Sequence, residues 1–245
     1  MTLKALPLKT MDSAALTLAI LEATGNDPLV FNAIRDATFL HRNQTRANRG
    51  QLERTSYIEH PLRGALRLIR WGVTDRDLII AAILHDTVED CAADILIHFL
   101  SIDPSEISKA EARAYAADWI RITYGIGAAT LVMAVTNEFP VPGATRAERA
   151  AAYVEHARAG ICSDVRVFLV KFTDYMDNAA GLYHNDVPGN RGMVVRLAGK
   201  YLPMADVFED AREPEALLRY VNREGLAEIT LKIRTSRKRL EKLAA

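Results

Sequence analysis

The stretch AAILHDTVED, residues 81–90, joins an apolar run to four ionisable side chains, His85, Asp86, Glu89 and Asp90. The apolar residues have helical spacing, so we place the stretch at the end of a buried helix. Because residues four apart lie on the same face of a helix, the ionisable groups are predicted to form two adjacent polar stripes. Burying them is unfavourable without compensation, and a divalent cation suits imidazole together with carboxylate. The stretch therefore predicts a metal site on a helix.

Apolar residues recur with the period of a helix almost everywhere in the chain, and the alternating pattern of strands never persists. We therefore predict an all-α protein. Proline and glycine mark the breaks, most clearly in NEFPVPGAT at residues 137–145. The predicted helices cover residues 11–23, 28–46, 59–71, 126–137, 145–159, 163–182 and 193–210, with one more inside 101–125 and another from 214. A further helix is predicted to start at TDRD, residues 74–77, with a Thr or Asp cap ahead of Leu78, and to end in the stretch 81–90.

Charge and cysteine content exclude several classes of protein. The chain has 245 residues, 31 of them basic and 31 acidic, so no overall field favours a nucleic-acid backbone or an acidic membrane. Its length and its apolar share of 49% suit one sizeable core. Cys91 and Cys162 are too few for a disulfide framework, which favours a reducing cytoplasm. No apolar run resembles a signal peptide or a membrane span, so we expect a soluble cytoplasmic protein.

Further metal ligands are available elsewhere in the chain. His60 lies in SYIEHP, about one helix upstream, and Asp174 lies in KFTDYMDN with Asn178 four residues on. With His85 and Asp86 they would make a mixed imidazole and carboxylate set with open positions for water and substrate. Each alone has a plainer interpretation. HDTVED could be a solvated helix end, His60 a residue at a helix start, and Asp174 an ion-pair partner of Lys171. Their occurrence together, in this order and with apolar flanks, favours the metal site.

Several spaced motifs carry a resemblance to a known family. They are HRNQTR from residue 41, YIEHP at 57–61, HDTVED at 85–90 and KFTDYMDN at 171–178. In this order they resemble the hydrolase domain of the HD superfamily, found in small alarmone hydrolases and in the bifunctional synthetase-hydrolases of the stringent response. The similarity covers roughly residues 28–210. No synthetase module follows, so the chain is similar to the stand-alone hydrolases.

The resemblance implies a helical bundle of the HD-domain type with an additional C-terminal helical segment. The expected divisions are an N-terminal helical segment over residues 1–27, a metal-dependent phosphohydrolase domain over 28–210 and a charged C-terminal helix over 211–245. The implied activity removes the 3′-pyrophosphate from guanosine tetra- or pentaphosphate and yields GDP or GTP and pyrophosphate. The implied ligands of a manganese ion are His60, His85, Asp86 and Asp174.

Other residues take implied roles around that ion. Glu89 and Asp90, one turn beyond the ligands, are assigned as acid-base residues that orient a water or accept its proton. Arg46 matches the family arginine that contacts the nucleotide, and a planar guanidinium suits phosphate and base stacking. Asn178 matches the nucleotide-binding asparagine, with a helix-facing amide as the alternative. Tyr57 either lines the pocket or is a core aromatic.

The chain departs from the family pattern at positions expected to recognise the nucleotide. Ala47 follows Arg46 where the family usually has a second basic residue, and the loop over 47–56 is longer. Three arginines could supply the missing charge or be simply solvated: Arg42, Arg49 and Arg54. Around Asp174 and Asn178, where the family commonly has basic or polar residues, this chain has Tyr175, Ala179, Ala180 and Gly181. Cys91 stands where the family often has threonine and is interpreted as a small buried residue, not a nucleophile.

Three hypotheses follow. The first is an alarmone 3′-pyrophosphohydrolase, and the second is a phosphohydrolase with the same metal chemistry that acts on another nucleotide or on NADPH. The third is a nucleotide-binding regulator without catalysis, which the presence of Glu89 and Asp90 disfavours. The partner expected is a small nucleotide, with a homo-oligomer as a further option. The basic C-terminal segment TLKIRTSRKRLEKLAA either is a solvated helix or pairs with another subunit or partner.

Overall fold

The computed structural model describes residues 6–46 and 54–245. In this part of the chain almost all regular structure is helical, which confirms the all-α prediction. The exceptions are two-residue strands, β1 (Thr45–Arg46) and β2 (Thr55–Ser56), which pair with each other. The chain divides into unit 1, Met1–Thr45 with Ser56–Thr136, and unit 2, Arg46–Thr55 with Asn137–Ala245.

Unit 1 carries the helices of the N-terminal half. They are α1 (Ser13–Ala23), α2 (Pro28–Leu40), α3 (Glu59–Arg70), α4 (Arg76–Leu84), α5 (Thr87–Asp90), α6 (Ala92–Ile95), α7 (Lys109–Tyr124) and α8 (Ile126–Val135). Short helical turns add Leu8–Thr10, Leu96–Leu100 and Pro104–Glu106. Unit 2 carries α9 (Arg146–Ser163), α10 (Val165–Asn178), α11 (Arg191–Asp210), α12 (Pro214–Leu217) and α13 (Arg223–Ala244), with a helical turn at Leu182–Asn185. The predicted division at residues 27 and 210 stays a prediction.

Helix α4 is the centre of unit 1. Asp75 caps its N-terminus by accepting a hydrogen bond from the backbone N–H of Leu78 at 3.2 Å, in agreement with the predicted Thr or Asp cap. Every residue from Leu78 to Leu84 is buried, and the helix packs against α2, α3 and α8. A helix that is apolar on all sides needs neighbours on all sides. His85, the residue that follows α4, is therefore buried as well.

Several predicted helix boundaries are wrong. The helix predicted over 28–46 ends at Leu40, because the chain then turns and its backbone pairs in β1 instead. The helix predicted over 163–182 ends at Asn178, where Ala179 begins a turn. The helix that was predicted to end in the stretch 81–90 is interrupted: α4 stops at Leu84 and α5 starts at Thr87.

Unit 2 is built around aromatic side chains on α10 and α11. Phe208 packs edge to face against Phe168 and Phe172, which are tilted relative to each other, and the ring centres are 5.0 to 5.8 Å apart. Helix α13 lies along α11 and buries an apolar face that includes Ile229 and Ile233. The predicted C-terminal helix is therefore present, with one face buried against unit 2 and the other exposed to solvent. Within the described residues, no helix is long and apolar enough to cross a membrane.

A buried hydrogen bond in unit 1 provides a test of this packing. The Tyr124 hydroxyl donates to Asp36 Oδ2 at 2.5 Å, and both side chains lie in the core. Tyr124→Phe is expected to lower the free energy of unfolding by about 1–3 kcal/mol, because a buried carboxylate oxygen loses its donor. Tyr115→Phe on the same helix is the control, since Tyr115 is 45% exposed. Urea unfolding followed by circular dichroism measures both variants, and equal midpoints would contradict the stabilising role of the bond.

Candidate metal centre

Three predicted ligands converge in unit 1. One ligand atom from each of His60, His85 and Asp86 lies within 4.8 Å of the other two. The Oδ2 atom of Asp86 is 3.1 Å from His85 Nε2 and 3.6 Å from His60 Nε2. Both histidines are buried, whereas Asp86 is half-buried. The group can therefore be reached by a small ligand on its carboxylate side.

The helix break between α4 and α5 positions two of these residues. His85 follows the last residue of α4, and Asp86 precedes the first residue of α5. Asp86 has φ −95° and ψ −8°, outside regular helix geometry, and its carboxylate lies beside the neighbouring imidazole. His60 comes from the first turn of α3, next to Pro61. The chain thus gathers these ligands from the ends of different helices.

Hydrogen bonds orient the ligand atoms. His85 Nδ1 lies 2.9 Å from the carbonyl oxygen of Ala82, and since a carbonyl can only accept, Nδ1 carries the proton. Nε2, which faces Asp86, is therefore the nitrogen of His85 that can bind a metal once it releases its proton. The Tyr57 hydroxyl donates to Asp86 Oδ2 at 2.7 Å. Tyr57 therefore belongs to the support of the metal group, and its predicted contact with a nucleotide stays a prediction.

Electrostatics keep Asp86 ionised. Burial alone would raise the pKa of its carboxyl, but His85, His60 and the Tyr57 hydroxyl outweigh that effect and hold the pKa far below its usual range. Two imidazole nitrogens and one carboxylate oxygen are a donor set that transition metals such as zinc, manganese and iron accept. The residues therefore fit a divalent metal.

The two acidic residues of α5 differ in exposure. Glu89 is half-buried and Asp90 reaches the surface. Desolvation by the surrounding protein, followed by the nearby carboxylates of Asp86 and Glu89, raises the pKa of Asp90 to about 6. A carboxyl group with a pKa near neutrality can exchange a proton at physiological pH, as an acid-base residue must.

Unit 2 holds the predicted nucleotide contacts and the fourth predicted ligand. Asp174 and Asn178 lie four residues apart on α10, and the Asn178 amide donates to Asp174 Oδ1 at 2.5 Å. Arg46 donates to Asn178 Oδ1 at 2.6 Å, and its Nη1 atom lies 3.7 Å from Asp177 Oδ2. Asp177, which the sequence analysis did not select, is buried. These residues form one polar network in which Asn178 and Asp177 both contact Arg46.

The comparisons with known proteins agree with this geometry. A family model described as the HD domain matches residues 37–196. The chain belongs to the HD domain family. HD domains bind divalent metals, and the His60, His85 and Asp86 group fits that property.

Two curated relatives carry the same name, guanosine-3′,5′-bis(diphosphate) 3′-pyrophosphohydrolase MESH1. The chain is 40% identical to the Xenopus tropicalis protein over 76 residues, which cover 29% of this chain and 40% of that relative. It is 30% identical to the Danio rerio protein over 155 residues, which cover 63% of this chain and 69% of that relative. The chain thus spans less than half of the Xenopus protein's length in that match.

A solved structure shares the fold. It belongs to a metazoan ortholog of SpoT that hydrolyses ppGpp and plays a role in starvation responses. The match has a TM-score of 0.56 and 21% sequence identity and covers 85% of this chain and 97% of that chain. At this level of identity the match supports the HD-domain fold alone.

The structure describes only some of the residues around Arg46 that were expected to supply positive charge. Arg42 lies over the Phe39 ring at 4.2 Å and 3.7 Å from Asp94, so it contacts residues of unit 1. The predictions on Ala47 and Arg49, with most of the loop over 47–56, concern residues that the structure does not describe.

His41 is a residue of the site that the sequence analysis did not select. It is 1% exposed, and its ring centre is 4.8 Å from that of Tyr57, which in turn is 5.7 Å from that of His60. A usable signal was present, since a histidine in HRNQTR directly follows the apolar end of α2.

Cys91, which follows α5, allows a test of its predicted inert role. Its thiol is buried, and desolvation, followed by the charges of Asp90 and Asp94, raises its pKa to about 12. At pH 8 only about one Cys91 thiol in ten thousand is ionised, so native Cys91 should resist iodoacetamide. Cys162 is exposed and should react under the same conditions. Peptide mass spectrometry measures both sites, with urea-unfolded protein as the control in which both react. Equal native labelling would contradict the buried thiol.

Proposed function

We propose that this HD-domain protein is a metal-dependent 3′-pyrophosphohydrolase of guanosine tetra- and pentaphosphate. The products are GDP or GTP and pyrophosphate. The observation that carries the proposal is the converging group of His60, His85 and Asp86 in a chain whose curated relatives are named for this reaction. The lowered pKa of the Asp86 carboxyl keeps that side chain anionic. A buried anion is unfavourable without a compensating charge, so an anionic Asp86 supports a bound cation.

The proposed ion is Mn²⁺, with Asp174 as a fourth ligand beside His60, His85 and Asp86. A divalent ion supplies Lewis acidity toward a phosphoryl oxygen and lowers the pKa of a bound water. The chain contributes orientation: the carbonyl oxygen of Ala82 and the hydroxyl of Tyr57 hold two of the ligands in place.

Glu89 and Asp90 are proposed to handle the protons. In the overall reaction, the water oxygen forms a bond to the phosphorus that is attached to the ribose 3′-oxygen. The bond between that phosphorus and the 3′-oxygen breaks. The water loses a proton and the 3′-oxygen gains one. Asp90, with a pKa of about 6, is well matched to accept the proton from water at neutral pH. Glu89, one residue earlier on α5, is proposed to assist in orienting that water.

Arg46 and Asn178 are proposed to bind the nucleotide. Asn178 and Asp177 already restrain the Arg46 guanidinium, so the side chain loses little further freedom when an anionic ligand binds. A restrained planar guanidinium favours a phosphate or a base face over a diffuse anion.

The cytoplasmic location and the homo-oligomer are likewise proposals.

A second candidate keeps the chemistry and changes the substrate to another nucleotide or NADPH. It is favoured by the turn after α10, where Ala179 and Ala180 are buried and Gly181 has no side chain. The family pattern has basic or polar residues at these positions after Asn178. An apolar turn gives less charge for a tetraphosphate and could suit a different group.

The assay that decides between them uses purified protein with Mn²⁺ and a panel of guanosine tetraphosphate, NADPH and ordinary triphosphates. Anion-exchange chromatography resolves the products. We expect GDP and pyrophosphate from the tetraphosphate. Asp86→Asn should reduce turnover to the level of the enzyme-free blank, because the anionic ligand is lost. Asp118→Asn on the exposed face of α7 is the control and should retain activity.

Two results would contradict the main proposal. The first is Asp86→Asn protein that turns over the tetraphosphate as fast as wild type. The second is consumption of NADPH or a triphosphate with no turnover of the tetraphosphate, which would support the second candidate.

Arg46→Lys tests the nucleotide contact separately. A lysine keeps the charge but loses the planar group, so kcat/KM for the tetraphosphate should fall about tenfold or more, mainly through a higher KM. Arg121→Lys, at an exposed position of α7, is the matched control and should leave both constants unchanged. Steady-state kinetics with Mn²⁺ held constant gives the comparison. An Arg46→Lys enzyme with an unchanged KM would rule out the contact.

A further inference from the structure

His41 closes α2 in the interior of unit 1. Its backbone N–H donates to the carbonyl oxygens of Ala37 and Phe39, and its side chain is buried. The ring lies beside Tyr57, whose hydroxyl donates to Asp86. His41 is therefore a neighbour of the metal group but is not among its three converging ligands.

The position of the proton on His41 follows from its neighbours. The Cys91 thiol has one proton, which it donates to the carbonyl oxygen of Leu40 at 3.6 Å. The sulfur must then accept from Gln44, so the Gln44 amide nitrogen is the atom 3.6 Å from it. This orientation directs the Gln44 amide oxygen to His41 Nδ1, at 2.9 Å.

An amide oxygen can only accept, so His41 Nδ1 is the donor and carries the proton. The Cys91 sulfur, 3.6 Å from the same nitrogen, is also an acceptor, in agreement with this assignment. Burial lowers the pKa of His41, so the ring is neutral at physiological pH. The Nε2 atom therefore presents a lone pair.

That lone pair lacks a donor. His41 Nε2 is buried and has no hydrogen-bond partner among the residues that the structure describes. A buried acceptor without a partner costs about 1–3 kcal/mol, and proteins usually satisfy such atoms with an ordered water. The His41 ring centre is 4.8 Å from that of Tyr57, whose hydroxyl donates to Asp86 Oδ2 at 2.7 Å, so one side chain separates His41 from the metal group.

We propose that His41 Nε2 accepts a hydrogen bond from a water molecule held at the His60, His85 and Asp86 group. His41 is thereby a positioning residue. Because one O–H bond of the water points to Nε2, the lone pairs of the water oxygen point away from His41. Gln44 fixes the tautomer that makes this possible. The kinetic part of the inference rests on the hydrolytic function proposed above, whereas the tautomer and the metal affinity do not.

Two variants separate the hydrogen bond from the shape of the ring. His41→Phe keeps a flat ring beside Tyr57 but has no acceptor, whereas the amide oxygen of His41→Gln can replace Nε2. Isothermal titration calorimetry should show that His41→Phe binds Mn²⁺ about 10- to 100-fold more weakly, as is usual when an outer partner of a metal site is lost. His41→Gln should recover most of that affinity. With the tetraphosphate, kcat should follow the same order and KM should stay constant.

Nitrogen NMR on wild-type protein tests the tautomer without any substrate. In a long-range ¹H–¹⁵N spectrum, His41 Nδ1 should have a pyrrole-like shift and Nε2 a pyridine-like shift. Addition of Zn²⁺, which is diamagnetic, should move the Nε2 signal. Assignment compares the spectrum with that of His41→Gln. A pyridine-like Nδ1 would overturn the proposal even if His41→Phe failed to fold.

The proposal would also be overturned if His41→Phe bound Mn²⁺ as tightly as wild type. A third contrary outcome is His41→Gln that is as impaired as His41→Phe, since the ring alone would then matter. Absence of tetraphosphate turnover in wild-type protein would count against the proposed function only, because calorimetry and NMR read the metal group directly.

Discussion

The contact of one carboxylate with two imidazoles is the interaction on which the site depends. Asp86 Oδ2 lies within 3.6 Å of the Nε2 atoms of both His85 and His60. An isolated carboxylate in such surroundings would be protonated or would move to solvent, because the free-energy cost of its desolvation exceeds the free energy gained from packing. Here the two rings and the Tyr57 hydroxyl stabilise the charge. The same three atoms then form a pre-assembled donor set for a cation, so the stabilising contacts of the fold are also the functional ones.

The surrounding shell acts mainly by fixing protons. His85 is held with its proton on Nδ1 by a backbone carbonyl, and His41 by a side-chain amide. A backbone carbonyl is set by the geometry of α4, which is buried throughout. The amide of Gln44 has no such constraint and depends on the single proton of Cys91 for its orientation. This gives Cys91 a reason to be buried and unreactive at a position so close to the site.

Sequence predicts the chemistry of this protein better than its geometry. The helical period and the order of the motifs were sufficient for the all-α HD-domain fold, because both are carried by local residues. The spacing of HDTVED suggested a continuous helix with stacked pairs, whereas the chain breaks after Leu84. Periodicity cannot show that break, because it is imposed by tertiary contacts that hold Asp86 against His60 from another helix.

His41 escaped the sequence analysis for a related reason. A histidine with an apolar neighbour is usually a core residue, and nothing in HRNQTR specifies which ring nitrogen is protonated. That information resides in Gln44 and Cys91, 47 residues apart in sequence. Likewise, the pairing of Arg46 with Asn178 spans 132 residues and could be expected from the family resemblance only.

The departures from the family pattern on α10 have different physical origins. Tyr175 stands where a basic residue is common, and its hydroxyl donates to Ser236 Oγ on α13 at 3.0 Å. Because α13 covers this part of unit 2, a lysine or arginine at residue 175 would bury a charge beside Phe172 and Phe208. The tyrosine is therefore explained by the extra C-terminal helix and carries no information on the substrate. Ala179 and Ala180 are buried at the turn that directly follows Asn178, the proposed nucleotide contact, so a change in nucleotide preference should originate at this turn.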